Sequence, residues 1–72
     1  MSEQEFIGAF EEILEMTPGT LNGAAKIEEL ERWDSVAMVT LMSVVDEKCG
    51  VALSPRKVAG CVTVHDVYQL TQ

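Results

Sequence analysis

The sequence predicts an all-α domain: a small four-helix bundle of three longer helices and one short helix, with a long loop between helices 1 and 2. Three observations carry this reading. Apolar residues recur at helical spacing in segments that each open on a Ser, Thr or Asp cap, Gly and Pro fall between those segments, and no two alternating stretches meet at a turn signal. Seventy-two residues with 47% hydrophobic content hold one domain, residues 1–72, near the lower size at which a core stands without disulfides or metal.

Ser2 with Glu5 three residues on is a capping box. Phe6, Phe10, Ile13 and Leu14 follow at helical spacing with Ile7 beside them, so a first amphipathic helix runs to the stop at Thr17-Pro18-Gly19. Glu3, Glu11, Glu12 and Glu15 fall on its outer face and are expected to be solvated. Residues 18–33 read as a long loop with a helical turn, and Ile27, Leu30 and Trp33, spaced by three, are its expected anchors over the core. Trp33 is read as packing.

Asp34 is a preferred N-cap, and no Gly or Pro interrupts the run from Ser35 to Cys49. A second helix is expected over those residues, with Met38, Leu41, Met42, Val45 and Cys49 facing the core. Val36, Val39, Thr40, Ser43 and Glu47 form a second stripe, either covered by a neighbour or left open as a docking surface. Ser35 occupies the first turn, where backbone N–H groups have no intrahelical acceptor and the dipole end is positive. A phosphate ester on its hydroxyl would be well placed there. Cap chemistry alone also accounts for an Asp-Ser pair.

Gly50 reads as the residue that ends this helix, with Val51 and Leu53 as anchors beyond it. Ser54-Pro55 opens a short helix that closes near Gly60 with Val58 inward. Thr63 and Asp66 repeat the capping pattern before Val64, Val67, Tyr68 and Leu70 of the last helix.

Charge and composition exclude several functions. The formal charge is -7, from twelve acidic against five basic residues, and residues 1–34 hold nine of the acids with only Lys26 and Arg32 in opposition. No basic cluster exists, so neither nucleic acid nor an anionic membrane is an expected partner. Cys49 and Cys61 lack ligand spacing and read as reduced, buried fillers of a cytoplasmic protein. The N-terminus has no basic region followed by an apolar block, so no leader is expected, and Thr40 and Ser43 break the longest apolar run, so no membrane insertion is expected. Ser35 lacks the glycine-flanked elbow of a hydrolase nucleophile, and no second feature joins it to His65 and an Asp as a triad. Glu28, Glu29 and Glu31 lie too close together for a metal cage, and no calcium or phosphate loop occurs. No catalytic or metal-binding residue is expected.

The order of long helix, long loop, Asp34-Ser35-Val36 at a helix start, Gly50-Val51-Ala52-Leu53, Ser54-Pro55 short helix and Thr63-Val64-His65-Asp66-Val67-Tyr68 resembles the acyl carrier protein family across the whole chain. The resemblance implies a covalent phosphopantetheine arm on Ser35, with Asp34 as motif neighbour and cap. It implies no enzyme activity of the chain's own. A phosphopantetheinyl transferase using magnesium would install the arm from coenzyme A. An acyl-loading ligase or transferase, and ketosynthase or acyltransferase enzymes, would then exchange acyl groups held as thioesters, in fatty-acid-like, polysaccharide or secondary-metabolite biosynthesis. A monomer is expected.

Departures from the family pattern bear on partner choice. Val36 stands where Leu is common, and Trp33 where a small residue is common. Ala37 and Thr40 occupy a helix that is strongly acidic in fatty-acid-synthesis carriers. Docking is therefore expected to lean on Val36, Val39, Thr40, Ser43, Glu47 and Glu31, with the upstream acids Glu28, Glu29 and Asp34. A specialised carrier fits better than the housekeeping one. Met16, Met38 and Met42 would let the interior reshape around an acyl chain. An aminoacyl or D-alanyl carrier, or a carrier fold kept as an unmodified interaction module, stand as alternatives.

Overall fold

Four caps start four helices in a computed structural model that describes residues 1–72. Helix α1 spans Glu3–Ile13, α2 Ser35–Cys49, α3 Pro55–Ala59 and α4 Val64–Gln69, and a single 3₁₀ turn, Ile27–Glu29, interrupts the α1–α2 loop. Every start carries the side-chain bond its sequence calls for. Ser2 and Thr63 form complete capping boxes with Glu5 and Asp66, Asp34 Oδ1 accepts from Ala37 N–H at 2.8 Å, and Ser54 Oγ accepts from Lys57 N–H at 3.2 Å. Helix α1 packs on α2 and α4, and α2 also carries α3. Phe6, Phe10, Leu14, Leu41, Val45, Val64 and Val67 are fully buried between them. Each such side chain contributes about 1.5–3 kcal/mol of transfer free energy.

Only two helices are long, which corrects the expectation of three. The final helix has six residues because its ladder tightens after Gln69: Leu70 N–H donates to Val67 O and Thr71 N–H to Tyr68 O, both i to i−3. The first helix also stops earlier than its Pro-Gly signal. Glu15 takes a left-handed conformation at φ 56°, Met16 N–H reaches back to Glu11 O at 2.8 Å, and Glu15 N–H to Glu12 O at 3.1 Å. This is a Schellman closure with glutamate at the position where glycine is usual. Gly50 ends α2 with the same hand, at φ 69°.

Three of the four acids assigned to the outer face of α1, Glu3, Glu11 and Glu15, have partners within the chain, Glu15 in an exposed ion pair with Arg32. Glu11 is buried, and its Oε2 accepts from the backbone N–H of Gly19 at 2.8 Å and of Leu21 at 2.9 Å. The carboxylate thus takes the place of a backbone partner for the returning loop. Glu3 Oε2 lies 2.6 Å from His65 Nδ1, joining the starts of α1 and α4. The loop is held further by Ile27 N–H on Val62 O and Val64 N–H on Ala25 O, which form one isolated antiparallel bridge at Lys26 and Thr63 but no strand, and by His65 N–H on Gly23 O. Ile27 is buried and Leu30 and Trp33 are half-buried against the core, as their spacing predicts.

Cys49 and Cys61 are free and half-buried, so neither is the fully buried filler expected. Burial, and then the charge of Asp66, push the Cys61 thiol up from its ordinary value, which keeps it protonated at neutral pH. No helix is long and apolar enough to cross a membrane.

Candidate functional site

Asp34 is extended, at φ -147° and ψ -173°, and turns the chain from the loop into α2. Its carboxylate takes the Ala37 N–H, and its carbonyl takes the Met38 N–H at 3.0 Å. The N–H groups of Ser35 and Val36 are left without acceptors in the chain, as the first turn of a helix requires. Ser35 itself is exposed, at the first position of a fifteen-residue helix. A hydroxyl in water beside two unpaired donors and a positive dipole end is a seat for a negatively charged oxygen ester.

The ground beneath Ser35 is rigid. Ala37 and Leu41 of α2 are buried, and Trp33, two residues upstream, lies flat on Phe10 of α1 with ring centroids 5.2 Å apart and 15° between planes. The serine is therefore exposed between Trp33 upstream, stacked on α1, and Ala37 downstream, buried in the core.

Along α2 the stripe of Val36, Val39, Thr40, Ser43 and Glu47 is exposed, Val36 to 71% and Val39 to 56%. No neighbouring element covers these residues. Glu31, Asp34, Val36 and Thr40 converge on one shallow groove of about 440 Å³ beside Ser35. Ser43 and Glu47 stay on the stripe but lie about 12 Å and about 18 Å along the axis from Ser35, at roughly 1.5 Å per residue. Four further residues of the groove, Ile13, Glu15, Arg32 and Ala37, were not anticipated. Ile13 and Glu15 come from the end of α1, which no local pattern relates to Ser35. Arg32 carried a signal, since it is the sole cation between Lys26 and Lys48 and sits three residues before the serine.

His65 faces Glu3 and Gln69, so no histidine serves Ser35 as a base. No group of three His, Cys, Asp or Glu side chains is gathered to hold a metal ion.

A small helical domain thus presents an exposed serine hydroxyl at the first position of its longest helix. The chain matches the family model for the phosphopantetheine attachment site over residues 4–71, and it belongs to that family. The family's prosthetic group is phosphopantetheine, bound covalently. No curated protein and no solved structure matches the chain.

The residues at the start of α2 fit that group. Its phosphodiester needs an accessible hydroxyl and donors for its free oxygens, and the exposed Ser35 with the unpaired N–H groups of Ser35 and Val36 provides both.

Proposed function

We propose that this chain, as a single domain over residues 1–72, is an acyl carrier protein with phosphopantetheine on Ser35. The observation that supports this most is the exposed serine at the first position of α2, inside the matched span and above unpaired N–H groups. In the attachment step the Ser35 oxygen attacks the β-phosphorus of coenzyme A. One oxygen–phosphorus bond forms, the pyrophosphate bond to the nucleotide breaks, and the hydroxyl proton passes to a base of the magnesium-dependent transferase. Asp34 caps the helix and helps to orient the transferase complex. Once attached, the arm supplies a terminal thiol that holds acyl groups as thioesters. The chain's own part is to keep the anchor point fixed and in water and to present a docking face, not to catalyse.

The partners on this reading are the phosphopantetheinyl transferase, a loading ligase or transferase, and ketosynthase or acyltransferase enzymes in the cytoplasm. Docking runs through Val36, Val39 and Thr40, with Ser43 and Glu47 farther along and Glu31 at the side. This face carries little acid compared with a fatty-acid carrier, so a specialised pathway is favoured over housekeeping synthesis. Rejection by fatty-acid ketosynthase and malonyl transferase is the expected result, and turnover at ordinary rates would remove that assignment.

Incubation with coenzyme A, magnesium and a broad-specificity transferase, followed by intact-mass measurement, tests the reading. One phosphopantetheine on the native chain and none on Ser35→Ala is expected. A native chain that stays unmodified, or a Ser35→Ala chain that is still loaded, overturns it. An unmodified but folded chain would leave the interaction module, and loading by an adenylating enzyme with an amino acid would identify an aminoacyl carrier.

A further inference from the structure

The groove beside Ser35 is lined by the serine's two chain neighbours, Asp34 and Val36, together with Arg32, Glu15 and Ile13. Arg32 is held there only by Glu15, whose Oε2 meets its Nη1 at 2.5 Å across seventeen residues of chain. The side chains are 64% and 72% exposed. An ion pair so open to water contributes little, and Arg32 is exchangeable at small cost.

The groove holds three carboxylates, of Glu15, Glu31 and Asp34, against this one guanidinium. A phosphodiester on Ser35 adds a permanent negative charge beside them. The unpaired first-turn N–H groups offset part of that repulsion, but Arg32 is the only full positive charge in the groove. Guanidinium also suits phosphate, since its planar fork gives two parallel bonds to two oxygens.

The backbones on both sides are fixed, which limits the adjustment to side chains. Trp33 is stacked on Phe10 and its N–H is bonded to Leu30 O, while Glu15 is locked in the closure of α1. Resting on the assignment of the arm to Ser35, we propose that Arg32 is the cation that binds the phosphodiester of that arm, and that loading transfers it from Glu15 to the phosphate. Arg32 is then a binding residue for the prosthetic group, and the freed Glu15 carboxylate marks the loaded state on the surface of the groove.

The chain has two arginines, and Arg56 on α3 serves as the internal reference. The experiment compares side-chain Nε–Hε resonances in the apo and loaded protein, and the ³¹P resonance of the loaded native chain with those of loaded Arg32→Gln, Arg32→Lys and Arg56→Gln. Loading should move the Arg32 signal several-fold more than that of Arg56. The ³¹P signal should move in Arg32→Gln, move less in Arg32→Lys, and stay in Arg56→Gln. In loaded Glu15→Gln, which removes the competitor, the ³¹P signal should shift opposite to its movement in Arg32→Gln. Arg32 and Arg56 signals that respond alike, or a ³¹P signal indifferent to Arg32→Gln, overturn the inference while leaving the arm on Ser35 intact. A native chain that shows no mass gain removes the carrier assignment, and this inference with it.

Discussion

The indole of Trp33 lies parallel to the ring of Phe10, 15° from coplanar and 5.2 Å away between centroids. Phe10 is almost fully buried in α1 and in turn meets Phe6 at 5.8 Å, so the residue two before Ser35 is tied into the aromatic centre of the fold. Removing a fully buried aromatic costs about 3–5 kcal/mol, and half-buried Trp33 should cost about 2 kcal/mol as Trp33→Ala. For a domain of this size that lowers the melting temperature by about 8–16 °C, and Trp33→Phe, which keeps a ring to stack, should lose less than half as much. Thermal unfolding followed by circular dichroism checks both. Equal losses for Ala and Phe would mean that the stack contributes little.

Glu11 holds the α1–α2 loop through one oxygen and two backbone N–H groups, one of them in buried Leu21. Glu11→Gln keeps an acceptor there but loses the charge that strengthens both bonds, and should cost about 1 kcal/mol. Glu11→Ala leaves the Gly19 and Leu21 donors without a partner and should cost about 2–4 kcal/mol. Amide exchange gives the local readout: Gly19 and Leu21 should lose protection in Glu11→Ala, with far smaller changes in α3. Uniform loss across the chain would point to global destabilisation in place of loop release.

What the sequence disclosed here and what it concealed divide along the range of the interactions. The start of each helix is decided within about four residues, by Ser2 with Glu5, by Asp34, by Ser54-Pro55 and by Thr63 with Asp66, and each of these was legible. The exposed serine followed from the same local geometry once α2 was placed, but whether the valine stripe is covered or open did not, because that depends on elements distant in the chain. Glu11 was not legible, because its position on α1 reads as solvent-facing until the loop comes back over it. The early end of α1 was hidden because glutamate does not advertise a left-handed residue. The shortness of α4 was hidden because apolar spacing does not distinguish an α turn from the tighter turn that follows Gln69. Ala37 is buried at the foot of α2, but a small side chain contributes too little to a hydrophobic pattern to be noticed. Arg32 was visible as an isolated cation, and only the approach of Ile13 and Glu15 from α1 makes a groove around it.

Acid should weaken the fold through its capping boxes. The Ser2 N–H, and then the Ser2 hydroxyl, hold the Glu5 carboxyl below its ordinary value, and the Thr63 and Val62 N–H groups do the same for Asp66. A carboxyl whose folded-state pKa is depressed contributes stability that is complete above the unfolded value and lost as pH falls through the folded one. The loss therefore belongs on the acid side of the ordinary carboxylate range, below about pH 4. Relief of repulsion in a chain of charge -7 acts in the opposite direction over the same range. The clean measurement is a difference: the native chain should melt above Glu5→Gln/Asp66→Asn at about pH 6, with the gap closing by about pH 2. A gap that stays constant would show that these carboxylates are not titrating with folding.

The last prediction separates stability from docking on α2. Val36 and Val39 are exposed to 71% and 56% and touch little of the core, so Val36→Ser and Val39→Ser should change stability by about 0.5 kcal/mol or less. If a partner buries them, each loses up to about 1.5 kcal/mol of complex stability, roughly tenfold in the KM for the transferase, with Val36 the larger because it adjoins Ser35. Ser43→Ala and Glu47→Gln lie far enough down the same stripe that a partner engaged at Ser35 should feel them by less than about twofold. Steady-state loading measured against the four variants, with melting temperatures in parallel, gives the pattern. A gradient of KM that falls from Val36 to Glu47 at constant stability supports docking at the helix start. A flat profile places the transferase contact elsewhere, and equal effects at Val36 and Glu47 require a partner that covers the full length of α2.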